Sequence, residues 1–362
     1  MSDLLARLLT ERPVLFADGA MGTSLFALGL ETGDCPELWN VDHPDRVASV
    51  HRGFVEAGSD IVLTNTFGGN RRRLMLHDAV GRVRELNLAG ARIARQVADA
   101  AGRPVAVAGS MGPTGDILQP VGALPAAEAE AAFAEQAMAL ADGGCDVLWV
   151  ETISSVEELT AAVAGASVAG LPVVATLSFD TNGRTMMGVT PAEVMGLARR
   201  LAAGEATGGR PVELLGIGAN CGIGPPQLLD TVMGLAAAGG RASAGEPVPA
   251  IVAKGNCGIP RWHGGHLHYD GTPDVMADYA CLARDAGARI VGGCCGTGAA
   301  HVRAMVQAAR TRPVGPPPDR AAVEALLGPI AAAVPARPEE DGPAPGDDGR
   351  RARRRRRAAA AE

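Results

Sequence analysis

Eight short apolar runs, each followed by a longer amphipathic segment, constrain the fold of this chain more than any other feature. The runs cover residues 14–17, 60–65, 105–109, 146–151, 173–178, 214–219, 250–254 and 289–292. Between and after them apolar residues recur at helical spacing, over 44–57, 83–100, 126–142, 155–169, 191–203, 226–238, 273–286 and 299–311. Several short runs are apolar on both faces, which suits parallel strands covered by helices. Eight βα repeats over roughly 300 residues predict an α/β fold, an eight-stranded parallel (β/α)8 TIM barrel, rather than an open sheet. A doubly wound sheet would carry G-x-G-x-x-G after its first strand. The turn Asp18-Gly-Ala-Met-Gly-Thr23 has a different glycine spacing, and no helix is expected directly after it.

The barrel is expected to occupy residues 1–312, with a short linker and helix packed on it over 313–334 and a disordered tail over 335–362. In that tail Glu339, Glu340, Asp341, Asp347 and Asp348 precede a run of arginines over 350–357. Like-charge blocks of this kind are solvated, so the run reads as a tail partly neutralised by its own acids rather than as an RNA site. The net charge of −7 gives no reason to expect nucleic acid or membrane as a partner. No apolar run reaches the ~18 residues of a membrane span, and no signal-peptide pattern opens the chain. Seven cysteines without a secretion signal therefore predict reduced thiols in a cytoplasm. Lys254 is the only lysine, which reads as coding bias.

In a β/α barrel the active site gathers where the strands end. Here the ends carry Asp18-Gly19, Thr64-Asn65-Thr66, Gly109-Ser110, Glu151-Thr152, Ser178, Asn220-Cys221, Lys254-Gly-Asn256-Cys257 and Cys294-Cys295. Adjacent cysteines hardly form a relaxed disulfide. Flanked by Gly292, Gly293 and Gly296, Cys294 and Cys295 can instead point at one metal, and Cys221 ends another strand on the same face. Three thiolates with a fourth position free suit Zn²⁺. Cys257 would close the site as a fourth thiolate, and His263, His266 and His268 offer a separate metal or substrate contact. Cys145 and Cys281 read as small buried hydrophobes, and Cys35 has no evident partner.

Together Asp18-Gly-Ala-Met-Gly-Thr23, Thr64-Asn-Thr-Phe67, Gly109-Ser-Met-Gly-Pro-Thr-Gly115, Glu151-Thr152, Gly218-Ala-Asn-Cys-Gly222 and Gly292-Gly-Cys-Cys-Gly-Thr297 resemble the homocysteine S-methyltransferase family. The resemblance runs in order over about residues 12–311. It implies a zinc-dependent barrel that methylates homocysteine to methionine, with Cys221, Cys294 and Cys295 as the zinc thiolates. Glu151 would take the amino group of homocysteine, Asp18-Gly19 would lie against the amino acid, and Asn220 would orient the metal site. Pro36-Glu-Leu-Trp-Asn40, Lys254-Gly-Asn-Cys-Gly-Ile-Pro260 and His268-Tyr-Asp-Gly-Thr-Pro273 look most like stand-alone bacterial betaine–homocysteine methyltransferases, so betaine is the expected donor and dimethylglycine its product. A quaternary ammonium calls for aromatic faces, and Trp39 and Tyr269 are the expected part of that cage, with Phe67 and Trp262 as further candidates. The motif at Gly109 also resembles the methionine synthase barrel, while little chain remains after residue 312 for folate and cobalamin modules. The alternative is the homocysteine subunit of a split methionine synthase served by a corrinoid protein, or use of S-methylmethionine or another sulfonium donor. A zinc-binding regulatory barrel is the non-enzyme alternative, and self-association is left open.

Overall fold

A computed structural model of the chain describes residues 4–239, 248–258, 260–263 and 266–330. Eight strands form one parallel sheet: β1 (Leu15–Phe16), β2 (Ile61–Leu63), β3 (Ala106–Met111), β4 (Val147–Ile153), β5 (Val173–Leu177), β6 (Leu214–Cys221), β7 (Ala250–Gly255) and β10 (Ile290–Gly293). Strands β2 to β7 pair in sequence order, β7 pairs with β10, and β10 pairs with β1 through Leu15 opposite Ile290. A bridge between Ala17 and Ile61 brings β1 round to β2, leaving a nearly closed barrel with helices between the strands.

Strand side chains alternate between faces, and the burial clusters follow that period. Leu15 and Ala17, Ile61 and Leu63, Ala106 and Ala108, and Val147 and Trp149 fill the interior together with Val174, Val252 and Ile290. Their neighbours Phe16, Val62, Val107, Leu148 and Val291 face the helices instead. Leu5 and Leu8, from the helix Leu4–Glu11, join the interior cluster and plug the end where the strands begin.

Several of the helices start at a capping side chain: Ser155, Thr190 and Thr272 each accept from the backbone amide three residues on. Thr190 accepts from the Glu193 amide while Glu193 answers the Thr190 amide, and Pro191 occupies the first turn of Pro191–Ala202. One expectation fails at the first strand: the helix Met21–Phe26 follows the Asp18-Gly19 turn at once. It has no side-chain cap, and the wholly buried Leu25 supplies tertiary packing that its local propensity does not. A second unforeseen element is the antiparallel hairpin β8 (Pro260–His263) with β9 (His266–Tyr269) beyond β7. After the barrel, the helix Arg320–Leu327 packs on Pro225–Gly239 and Pro273–Asp285 with Val323 buried. Residues 335–362, expected to be disordered, lie outside the described residues. No helix among the described residues is long and apolar enough to cross a membrane.

Candidate active site

Cys221 is the last residue of β6, in left-handed backbone with φ 58°, and Cys294 and Cys295 directly follow β10. Cys221 Sγ lies 2.9 Å from Cys294 Sγ and 3.9 Å from Cys295 Sγ, and all three sulfurs fall within 4.8 Å of one another. The turn carrying the pair is pinned to β7: the Cys294 amide donates to Gly255 O at 2.7 Å and the Cys295 amide to Asn256 Oδ1 at 3.0 Å. Asn256 Nδ2 donates to Gly222 O at 2.7 Å, so one side chain ties the two cysteine turns together. A Cβ on Gly293 would lie 2.2 Å from Thr297, and Gly296 has φ 80° against the Tyr269 ring; neither position accepts a side chain.

Among the described residues no other His, Cys, Asp or Glu joins these three sulfurs. The donor set fits a borderline-soft cation with an open coordination position. Protons are shared unevenly within it. Hydrogen bonds from Cys221, then Cys294, pull Cys295 down to about 3 against burial, with Tyr269 helping. Cys221 is pushed up, first by its bonds with Cys294 and Cys295 and then by burial. For Cys294 the bond with Cys221 lowers the value, but the bond to Cys295 and burial raise it to about 12. Cys257 stands apart, its buried thiol donating to Gly271 O at 2.9 Å.

The alternation that sends Ala108, Trp149 and Val252 into the barrel also sends Ser110, Glu151 and Lys254 inward two residues later. Glu151 is buried, accepts from Ser110 Oγ at 2.5 Å, and is pushed up to about 7, mainly by burial against the pull of Lys254. Lys254 Nζ reaches Asp18 Oδ1 at 3.0 Å and sits 5.5 Å from the Trp149 ring centroid. Asp18 Oδ2 accepts from the Leu63 amide at 2.7 Å. Burial raises the Asp18 carboxyl against Lys254 and Leu63, while burial of Lys254 is outweighed by Asp18 and Glu151, which raise it. Two buried carboxylates thus face one lysine, which leaves room for one more cation.

Asp18, Gly19, Glu151, Tyr269, Cys221, Cys294 and Cys295 all line one cavity of about 470 Å³. Asn220 lies behind its wall, wholly buried: Oδ1 accepts from the Thr152 amide at 2.9 Å and Thr176 Oγ1 at 2.7 Å. Its Nδ2 donates to Thr152 Oγ1 at 2.7 Å and lies 3.8 Å from Cys294 Sγ, so it braces the site and does not line it. Trp39 does not line the cavity either. It is buried, with the His43 ring edge-on at 4.8 Å and the Arg46 guanidinium 5.0 Å from its centroid, so its faces are already engaged. Cys35 has a partner after all, Glu37 Oε2 at 3.1 Å. The side chains of Trp262, His263, His266 and His268 lie outside the described residues. Ser110, Lys254 and Asn256, which the sequence placed at strand ends without a role, belong to the site, and the reading of Lys254 as coding bias missed its place there. A single lysine at a strand end in an otherwise lysine-free chain was the available signal.

The homocysteine S-methyltransferase family profile matches residues 15–309. The methionine synthase of Mycobacterium tuberculosis (strain ATCC 25618 / H37Rv) is 35% identical over 311 residues, 82% of this chain and 24% of that protein. That of Mycobacterium leprae (strain TN) is 34% identical with the same coverage, 82% and 24%. This chain therefore spans about a quarter of the length of the curated relatives it matches. Among solved structures, the metallated form of the homocysteine methyltransferase MmuM from Escherichia coli has a similar fold, with a TM-score of 0.66 at 24% identity over 85% of this chain and 100% of that one. With that profile spanning the barrel from its first strand into its last helix, the chain belongs to the homocysteine S-methyltransferase family.

Proposed function

We propose that the chain transfers a methyl group to the thiol of homocysteine, giving methionine, at a zinc ion held by Cys221, Cys294 and Cys295, with betaine as donor and dimethylglycine as second product. One observation carries this: the three converging sulfurs open onto the same cavity as the buried, cation-seeking Glu151. Cys221, Cys294 and Cys295 would hold the zinc ion, which would supply Lewis acidity that keeps a substrate thiol ionised near neutral pH. Glu151 binds the ammonium group of homocysteine, with Ser110 orienting its carboxylate. Lys254 and the Leu63 amide fix Asp18, and through it the Gly19 turn against which the amino acid lies. A Cβ on Gly19 would meet Thr297 O at 2.1 Å, so backbone alone can form that wall. Asn220 keeps Cys294 aligned with Thr152, the residue after Glu151. The sulfur–carbon bond forms as the donor's nitrogen–carbon bond breaks, its electron pair staying on nitrogen. Tyr269 offers the donor an aromatic face beside the sulfurs, joined at the mouth by Phe26 and Phe67.

A second reading has its own support. The relatives named methionine synthase are about four times as long as their match to this chain, and apolar side chains stand exposed on connections leaving the cysteine-bearing ends of the strands, among them Phe26, Leu28, Phe67, Leu76 and Val121. A protein donor carrying a methylated corrinoid has use for such a surface; betaine does not. Purified protein loaded with zinc and given homocysteine is tested with betaine, dimethylsulfoniopropionate, S-methylmethionine, methylcobalamin and a methylated corrinoid protein. Methionine from betaine supports the first reading, and methionine only with the corrinoid donors replaces it with the second. No methionine with any donor, alongside about one bound zinc per chain, leaves a metal-binding barrel without methyl transfer.

A further inference from the structure

The end of the barrel where the strands begin carries a second cleft, of about 920 Å³, that the proposed reaction does not use. Phe16 of β1, Asp60 immediately before β2 and Arg289 immediately before β10 line it, whereas the cysteines follow the opposite strand ends. Six arginines and a single carboxylate, Asp60, supply its charged lining. Three of the six are committed to the fold. Arg284 binds Asp285 and the carbonyls of Ala309, Arg312 and Pro313. Arg289 binds the carbonyls of Leu9, Arg12 and Pro13, and Arg312 pairs with Asp278.

The other three converge on Asp60. Its Oδ1 lies 2.6 Å from Arg12 Nη1, 3.6 Å from Arg103 Nη1 and 3.8 Å from Arg310 Nη2. The second oxygen accepts from the Phe16 amide at 3.0 Å. Of the three arginine contacts only that of Arg12 is short enough to be a hydrogen bond. Arg103 Nη1 is buried without a hydrogen-bond partner, while its Nη2 is held by the carbonyls of Val55 and Ser59. Three guanidinium groups around one carboxylate leave an excess of two positive charges. Burial lowers Arg103 first, and the Arg310 and Arg12 charges add to that against Asp60, as expected for like charges crowded together.

A dianion with several acceptor oxygens balances this charge, and guanidinium forks match the oxygens of a phosphoryl group. A single carboxylate would leave one charge unmatched. The cleft is in the size range of sites for whole small molecules, so the phosphoryl group is one end of a larger ligand. We infer that Arg12, Arg103 and Arg310 form a binding site for a phosphoryl-bearing small molecule, at the opposite end of the barrel from the cysteines.

The test is calorimetric titration of the full chain with inorganic phosphate and with pyrophosphate, at ionic strength held constant with sodium chloride. Expected is saturable one-site binding with Kd of about 1 mM or tighter. Arg310→Ala changes a half-exposed side chain and Arg12→Gln keeps much of the bulk of Arg12; each should weaken binding about tenfold, with Cys-site metal content unchanged. Pyrophosphate should also raise the melting temperature of wild type more than that of either variant. Absence of saturable binding by both anions overturns the inference, as does wild-type affinity in both variants. Binding of polyglutamate but not of pyrophosphate would assign the cleft to an acidic protein surface instead.

Discussion

Glu151 reaches the inner wall of the barrel with one hydroxyl as its hydrogen-bond partner, and an enclosed carboxylate is costly until a cation approaches it. Glu151→Gln keeps the shape and removes the charge. It should raise the homocysteine KM about tenfold or more with zinc content unchanged, measured by initial rates and metal analysis. Either Cys221→Ala or Cys294→Ala should release the zinc, while Cys257→Ala, whose thiol serves Gly271, should keep it. Loss of zinc from Cys257→Ala alone would refute the three-sulfur site. Trp39→Ala now carries a different expectation from the one the sequence invited: a stability loss of about 3–5 kcal/mol in urea melts with betaine KM unchanged, because the ring is packed away from the cavity. The convergence of the three thiols was legible because each stands at a strand end, and the ends of parallel barrel strands share one face. Which way a loop tryptophan turns was not, since position in a connection says nothing about the side a ring faces. Lys254 was read as coding bias because its partner Asp18, 236 residues away, is not visible as a partner in sequence.

Among the helices, Pro44–Ala57 carries the most telling side chain, His51, which is wholly buried with neither ring nitrogen hydrogen-bonded. Burial lowers it to about 4. An unfolded imidazole titrates near 6.5, so between those values the unfolded chain binds a proton that the folded chain refuses. The contribution of His51 to stability is therefore intact above about pH 6.5 and falls as pH drops, by about 1.4 kcal/mol per unit down to about pH 4, against the opposite trend of the raised Glu151 carboxyl. Urea melts of wild type and His51→Leu across that window should diverge with this slope; parallel profiles would mean the ring gains a proton or a partner in the folded state. The helices read well from sequence because apolar residues recur at helical spacing, and at some starts, as at Thr190 and Pro191, a cap and a proline add a boundary. Hairpin β8–β9 went unread although its signal is there: polar and apolar residues alternate in Arg261-Trp262-His263 and in His266-Leu267-His268-Tyr269, with two glycines between. The three histidines drew the reading toward a ligand loop.

For the molecule as a whole, the eight-fold repeat was the most legible feature, since each unit announces itself within some forty residues of sequence. What surrounds the mouth was not, because exposed apolar residues look the same in sequence as buried ones. Leu76 and Val121, 68% and 72% exposed, lie in the connections after β2 and β3, on the side of the barrel that carries the cysteines. If a corrinoid protein docks there, Leu76→Glu with Val121→Glu should cut turnover with that donor several-fold and leave turnover with a small-molecule donor unchanged; equal effects on both would exclude a docking role. The pairing of Leu15 with Ile290 has a consequence for biosynthesis. The first strand emerges from the ribosome with its lateral neighbour still some 275 residues from being made, and two of the three sulfurs arrive with that neighbour. A nascent or truncated chain ending before residue 290 holds one thiol of the cluster and an open seam beside Asp18. On the proposed function, metal capture would wait for the last strand, and a bound ion would certify that the ring has closed.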